Sequence, residues 1–200
     1  MGWPRVASIA ILIALANVAV AANPFLDAKD DKAVSANFRG TEWIDESIDG
    51  EIPLTARVVT TRIAQMPWGA IFKIEYVDLK SKASEKREIL PDYFIATDDR
   101  IVLLNEEDNE AAAKKIAAME KPPAFEQSDI RAIATGELKF VDGPYTTAIE
   151  TKGDQCTYLT SHNSGHFTKY VWKKGVGLVE HSSGYGAMKD GFRLKRVASK

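Results

Sequence analysis

A single cysteine, Cys156, stands among 200 residues, which excludes an internal disulfide and leaves the hydrophobic core to carry stability. Basic residues are also scarce for a nucleic-acid protein: 26 Lys and Arg against 28 Asp and Glu give a net charge of −2, whereas phosphate binding along a polymer normally demands a cationic excess. Spacings such as His-Glu-x-x-His, Gly-x-Ser-x-Gly, the P-loop and the dinucleotide glycine pattern are all missing. No apolar run reaches the roughly 20 residues that a membrane-spanning helix needs.

The longest apolar run, Val6 to Val20, follows a single positive charge at Arg5 and ends in the small residues Ala19-Val20-Ala21 before Asn23-Pro24. This three-part layout predicts a secretory signal peptide over 1–21, cleaved after residue 21 or 22. The chain is therefore expected to be exported: periplasmic in a Gram-negative cell, secreted otherwise, with no transmembrane span once the signal is gone. Residues 23–40 are rich in Asp, Lys and Ala and read as a weakly ordered lead-in. The remainder, 41–200, reads as a single β-rich domain.

From Thr41 the hydrophobic pattern takes period two. Leu54 to Ala64 and Ala70 to Leu79 read as strands around the turn at Pro67 and Gly69. Further strands are expected at 87–90, 93–96 and 101–104, with Asp98-Asp99 at a hairpin tip. One helix, about 106–121, interrupts them, capped by Asn105 or Asp108 and stopped by Pro122-Pro123, with Ala112, Ile116 and Met119 as its apolar stripe. The fold class expected is α+β, mainly antiparallel β: a curved meander sheet, half-barrel-like or an open barrel, with that helix packed on it.

The C-terminal meander carries the candidate sites. Asn163-Ser164-Gly165 and Lys173-Lys174-Gly175 read as three-residue hairpin loops with glycine in the left-handed position. Counting outward places Cys156 opposite Trp172, Tyr158 opposite Tyr170 and Thr160 opposite Thr168. Across the second hairpin it places Trp172 opposite Val176, Tyr170 opposite Leu178 and Thr168 opposite Glu180. One face then sorts into an apolar end of Tyr158, Tyr170, Trp172 and Leu178, and a polar end of His162, His166 and Glu180. The apolar end is a candidate surface for an apolar ligand, a lipid or a protein segment. The polar cluster is the alternative, a metal-dependent or acid–base enzyme site. A third reading is an interaction module that docks a protein partner by an edge strand. His181 faces the cluster only if the strand slips by one residue. The Gly-containing stretch 182–191 reads as a loop. Cys156, following Asp154, reads as a buried apolar residue rather than a nucleophile. A non-enzymatic exported binding protein without a cofactor is the function these features favour.

Overall fold

The computed structural model describes residues 23–26, 33–43, 51–82, 87–186 and 190–198; the expected signal peptide lies outside them. Strands β1 (Val34–Trp43), β2 (Ile52–Met66), β3 (Gly69–Ser81), β4 (Asp92–Ala96) and β5 (Arg100–Leu104) lead into helix α1 (Asn109–Ala117). After a 3-10 turn come β6 (Ile130–Ile133), β7 (Gly136–Asp142), β8 (Tyr145–Lys152), β9 (Gln155–His162), β10 (His166–Lys173), β11 (Gly177–Tyr185) and β12 (Asp190–Arg196). All twelve strands form one antiparallel sheet in the order β6-β5-β4-β3-β2-β1-β12-β11-β10-β9-β8-β7. Among the described residues, only the β1–β12 ladder pairs strands that are not consecutive in sequence.

The sheet curls until its two ends meet. At the seam, the Thr151 hydroxyl donates to the Ile133 carbonyl (2.5 Å), and the Ile133 N–H points to Cys156 Sγ (3.5 Å). β6 is thus held by side chains of β8 and β9 rather than by a ladder to β7. The result is a nearly closed barrel, more complete than a half-barrel.

Alternation along each strand explains the curl. Inner positions carry the core, including Phe38, Leu54, Val58, Ile74, Phe94, Ile149, Trp172 and Leu194, all buried. On the first residues of β3 (Gly69 to Phe72) and on most of β4 and β5 the runs are continuously apolar, because the outer face is covered as well. Helix α1 lies there with Ala113 and Ile116 buried, and Tyr93 reaches the Glu110 carboxylate (3.3 Å). Asp108 caps α1 by accepting the amides of Glu110 and Ala111. The helix ends at Ala117, ahead of the prolines. Just beyond it, the Met119 carbonyl accepts the Trp68 indole N–H (3.0 Å), tying the chain to the β2–β3 turn.

Two sequence expectations change here. The described part of the expected lead-in is ordered: Phe25 and Leu26 are buried and Val34 to Gly40 belong to β1. Asn23 donates to the carbonyls of Thr97 (2.8 Å) and Arg100 (2.9 Å), while its own side-chain oxygen accepts the Phe25 amide. This segment closes one end of the barrel, at the β4–β5 hairpin. Residues 87–90 are not a strand but a connection, because Arg87 turns inward to a carboxylate at the other end.

Candidate functional site

The other end of the barrel, the mouth, is built from three successive rungs of side chains on the inner wall. The lowest rung runs Ile149, Tyr158, Tyr170, His181 and Leu194 across β8, β9, β10, β11 and β12. Above it come Thr147, Thr160, Thr168, Ser183 and Phe192, then Glu42 on β1. The rim carries Tyr145, His162, His166, Tyr185 and Asp190.

The lowest rung is sealed. Tyr158, Tyr170, Trp172 and Leu178, the candidate ligand face, are all buried, with Trp172 and Tyr170 meeting Phe94 of the opposite wall edge-on (5.4 and 6.0 Å between centroids). These aromatics fill the barrel rather than lining a cavity. His181 belongs with them. It stacks on Tyr170 (4.4 Å) and its Nδ1 lies 2.5 Å from the Tyr76 hydroxyl, while burial pushes its pKa down to about 3. Asp92 accepts from the Tyr170 hydroxyl (3.2 Å), yet burial pushes its carboxyl up to about 6 against the pull of that bond and of Arg131.

His181 reaches this rung because the second hairpin register differs from the one counted in the sequence. Gly165 and Gly175 do take positive φ, and the β9–β10 pairs Cys156–Trp172, Tyr158–Tyr170 and Thr160–Thr168 stand as expected. Across β10–β11, however, Trp172 pairs with Leu178, and a bulge leaves Val179 unpaired so that Val171 faces Glu180. One extra residue turns the strand over. Glu180 therefore points outward, between Lys169 (2.8 Å) and Lys195 (3.5 Å). The cluster of His162, His166 and Glu180 is not assembled. Among the described residues no group of three His, Cys, Asp or Glu is placed to hold a metal.

His162 and His166 do come together, with ring centroids 6.0 Å apart. His162 Nδ1 accepts the Ser164 amide (2.9 Å) and bonds the Ser164 hydroxyl (2.6 Å), so this ring shapes its hairpin. Tyr145 packs against it (4.8 Å), and His166 stacks flat on Tyr185 (3.9 Å). Between rim and hydroxyl rung lies an open cleft of about 440 Å³ lined by Tyr145, Thr160, His166, Thr168, Ser183, Tyr185 and Phe192, with Arg87 and Asp190 at its side. Arg87 is anchored by the fully buried Glu42 (3.0 Å) and by Asp190 (2.5 Å), and lies over the Phe192 ring. Ser81 also bonds Glu42.

Residues 182–185, read as loop in the sequence, extend β11 up to the rim. Gly184 and Gly191 face each other there, and the Trp43 indole crosses them on the outside to stack on Phe167 (6.4 Å). Sequence reasoning missed Arg87, Tyr145 and Asp190, which lie far from the meander or at its boundaries. Cys156 is buried and accepts from the seam, with burial raising its thiol pKa. Among the described residues no helix is long and apolar enough to cross a membrane. Compared with known protein families, with characterised proteins and with solved structures, the chain matches none.

Proposed function

We propose that this chain is an exported, non-enzymatic binding protein that takes a small amphiphilic ligand into the barrel mouth. The observation that carries the reading is the cleft of about 440 Å³ between an aromatic rim and a rung of hydroxyls. That volume lies in the range of small-molecule sites, and such sites pair apolar walls with a few placed polar groups. Tyr145, Tyr185 and Phe192 supply apolar surface; Thr160, Thr168 and Ser183 supply hydrogen bonds without net charge. Tyr158, Tyr170, Trp172 and Leu178, first read as the binding face, act in this reading as the rigid wall below the cleft.

The test is a titration of the purified protein with a panel of lysolipid, aromatic amino acid, disaccharide and hydrophobic dipeptide, followed by Trp fluorescence. Trp43 borders the mouth from outside and reports on it. A saturable change that weakens at least tenfold in Tyr185→Ala, with an unchanged circular dichroism spectrum, supports the site. A flat response across the panel, or equal affinity in the variant, removes it.

A second reading, docking of a protein partner, is favoured by β7. Among the described residues this strand pairs only with β8, and Val141 on it is 71% exposed. Photo-crosslinking from position 141 in cells would give a discrete adduct if the edge is occupied, and none if it is a bare end of the sheet.

A further inference from the structure

Charge on the outer wall is distributed against the balance of the whole chain, which is −2. Thr55 on β2 lies directly between Arg39 on β1 and Lys80 on β3, its partners in the two ladders. Arg57 follows Thr55 by two residues on the same outer face. Lys195 on β12 sits across from Arg39 on its other side. Like charges directly opposed across a ladder destabilise a sheet, and Arg39 and Lys80 make no ion pair with a described residue. Arg57 pairs with Asp78 (2.9 Å), but both side chains are about half exposed, at 47% and 62%, so solvent screens that contact.

The same place is concave. The β2–β3 ladder slips between Thr55 and Arg57, and Asp78 opposite takes φ 54°, a conformation uncommon outside glycine and best tolerated by Asn and Asp. The irregularity opens a shallow cleft of about 360 Å³ lined by Asn37, Arg39, Thr55, Arg57, Asp78 and Lys80. Three cations and one carboxylate line this cleft together with a hydroxyl and an amide.

We propose that this cleft binds a phosphate group. Two guanidinium forks match phosphate oxygens bidentately, the Lys80 ammonium adds a point charge, and Thr55 and Asn37 add neutral donors. A phosphate near neutral pH carries a charge between −1 and −2, which offsets the cationic surplus of the site. The group is either free on a soluble ester or displayed by an anionic lipid. The site lies on the outer wall and stands independently of the mouth.

The experiment titrates the purified protein with inorganic phosphate at constant ionic strength set by chloride, followed by amide shifts in nitrogen-labelled protein. Saturable shifts confined to residues 37–39, 55–57 and 78–80 are expected, with affinity falling at least tenfold in Arg39→Gln/Lys80→Gln. A control, Lys169→Gln/Arg193→Gln, removes the same charge elsewhere on the wall and is expected to keep the binding. Both variants are checked for an unchanged melting temperature. In a second arm the protein is sedimented with phosphatidylglycerol vesicles and with neutral phosphatidylcholine vesicles. Phosphate shifts together with sedimentation on the anionic vesicles alone assign a lipid headgroup. Phosphate shifts without sedimentation assign a soluble phosphate ester. Diffuse shifts, no shifts, or equal loss in both variants overturn the proposal.

Discussion

His181 and Asp92 titrate in opposite senses on facing walls of the barrel, and the pair makes a sharp expectation for pH. His181 holds its neutral form in the folded barrel down to about pH 3, while an unfolded chain takes the proton near 6.5. The unfolded state therefore binds more protons between those values, and stability falls as pH drops through that window, by up to about 1.4 kcal/mol per unit. Asp92 takes its proton near 6 when folded and near 3.8 when unfolded. Its contribution thus rises as pH falls from about 6 to about 4, and the two slopes offset each other there. Asp92→Asn removes one of them. Urea unfolding at pH 4 to 7 is expected to give a nearly flat profile for the parent in that window. The variant should lose roughly 3 kcal/mol between pH 6 and 4. A flat variant would mean that burial does not hold the His181 ring neutral.

At the scale of elements, the glycine pair of β11 and β12 is a tight constraint at the mouth. A methyl group on Gly191 would stand 2.6 Å from the Trp43 ring and 2.7 Å from Gly184 Cα. Gly191→Ala is expected to cost about 1–3 kcal/mol and to release Trp43 from Phe167, read as a red shift of Trp emission with a lower melting temperature. The plug at the other end is tested by Phe25→Ala. Removal of a fully buried phenylalanine should cost about 3 kcal/mol or more, read by the denaturation midpoint. If both variants melt like the parent, neither contact secures its end of the barrel.

These elements also mark what was legible. The β9–β10 hairpin could be counted because Gly165 sits where a three-residue loop requires positive φ, and its register follows from that alone. The β10–β11 register could not, because Leu178 and Val179 are both apolar and give no polarity contrast to reveal which of them the bulge leaves unpaired. Glu180 and His181 exchanged faces as a result. The rim histidines were legible as neighbours flanking one loop. Arg87, Glu42 and Asp190 were not, since they meet only when β1, β12 and the β3–β4 connection are brought together. The plug at Asn23–Leu26 hid in a polar, Asp-rich stretch, where two apolar residues were too few to form a pattern.

On the scale of the whole molecule, the seam is the feature with the widest consequence. Every neighbouring pair in the sheet is consecutive in sequence except β1–β12, and the sheet's two free ends belong to β6 and β7, which are separated only by Ala134 and Thr135. The strand order is thus a ring cut in an unexpected place. Folding must bring the first and last strands together across the full span of the chain, and pairing of that kind pays the largest loop-closure entropy and slows the search. A circular permutant with new ends between Ala134 and Thr135, and a flexible linker joining the natural ones, would turn the same sheet into an unbroken sequential meander. Its ladders would be unchanged, but each could form by local zipping. Stopped-flow refolding should then show it folding faster than the parent at similar equilibrium stability.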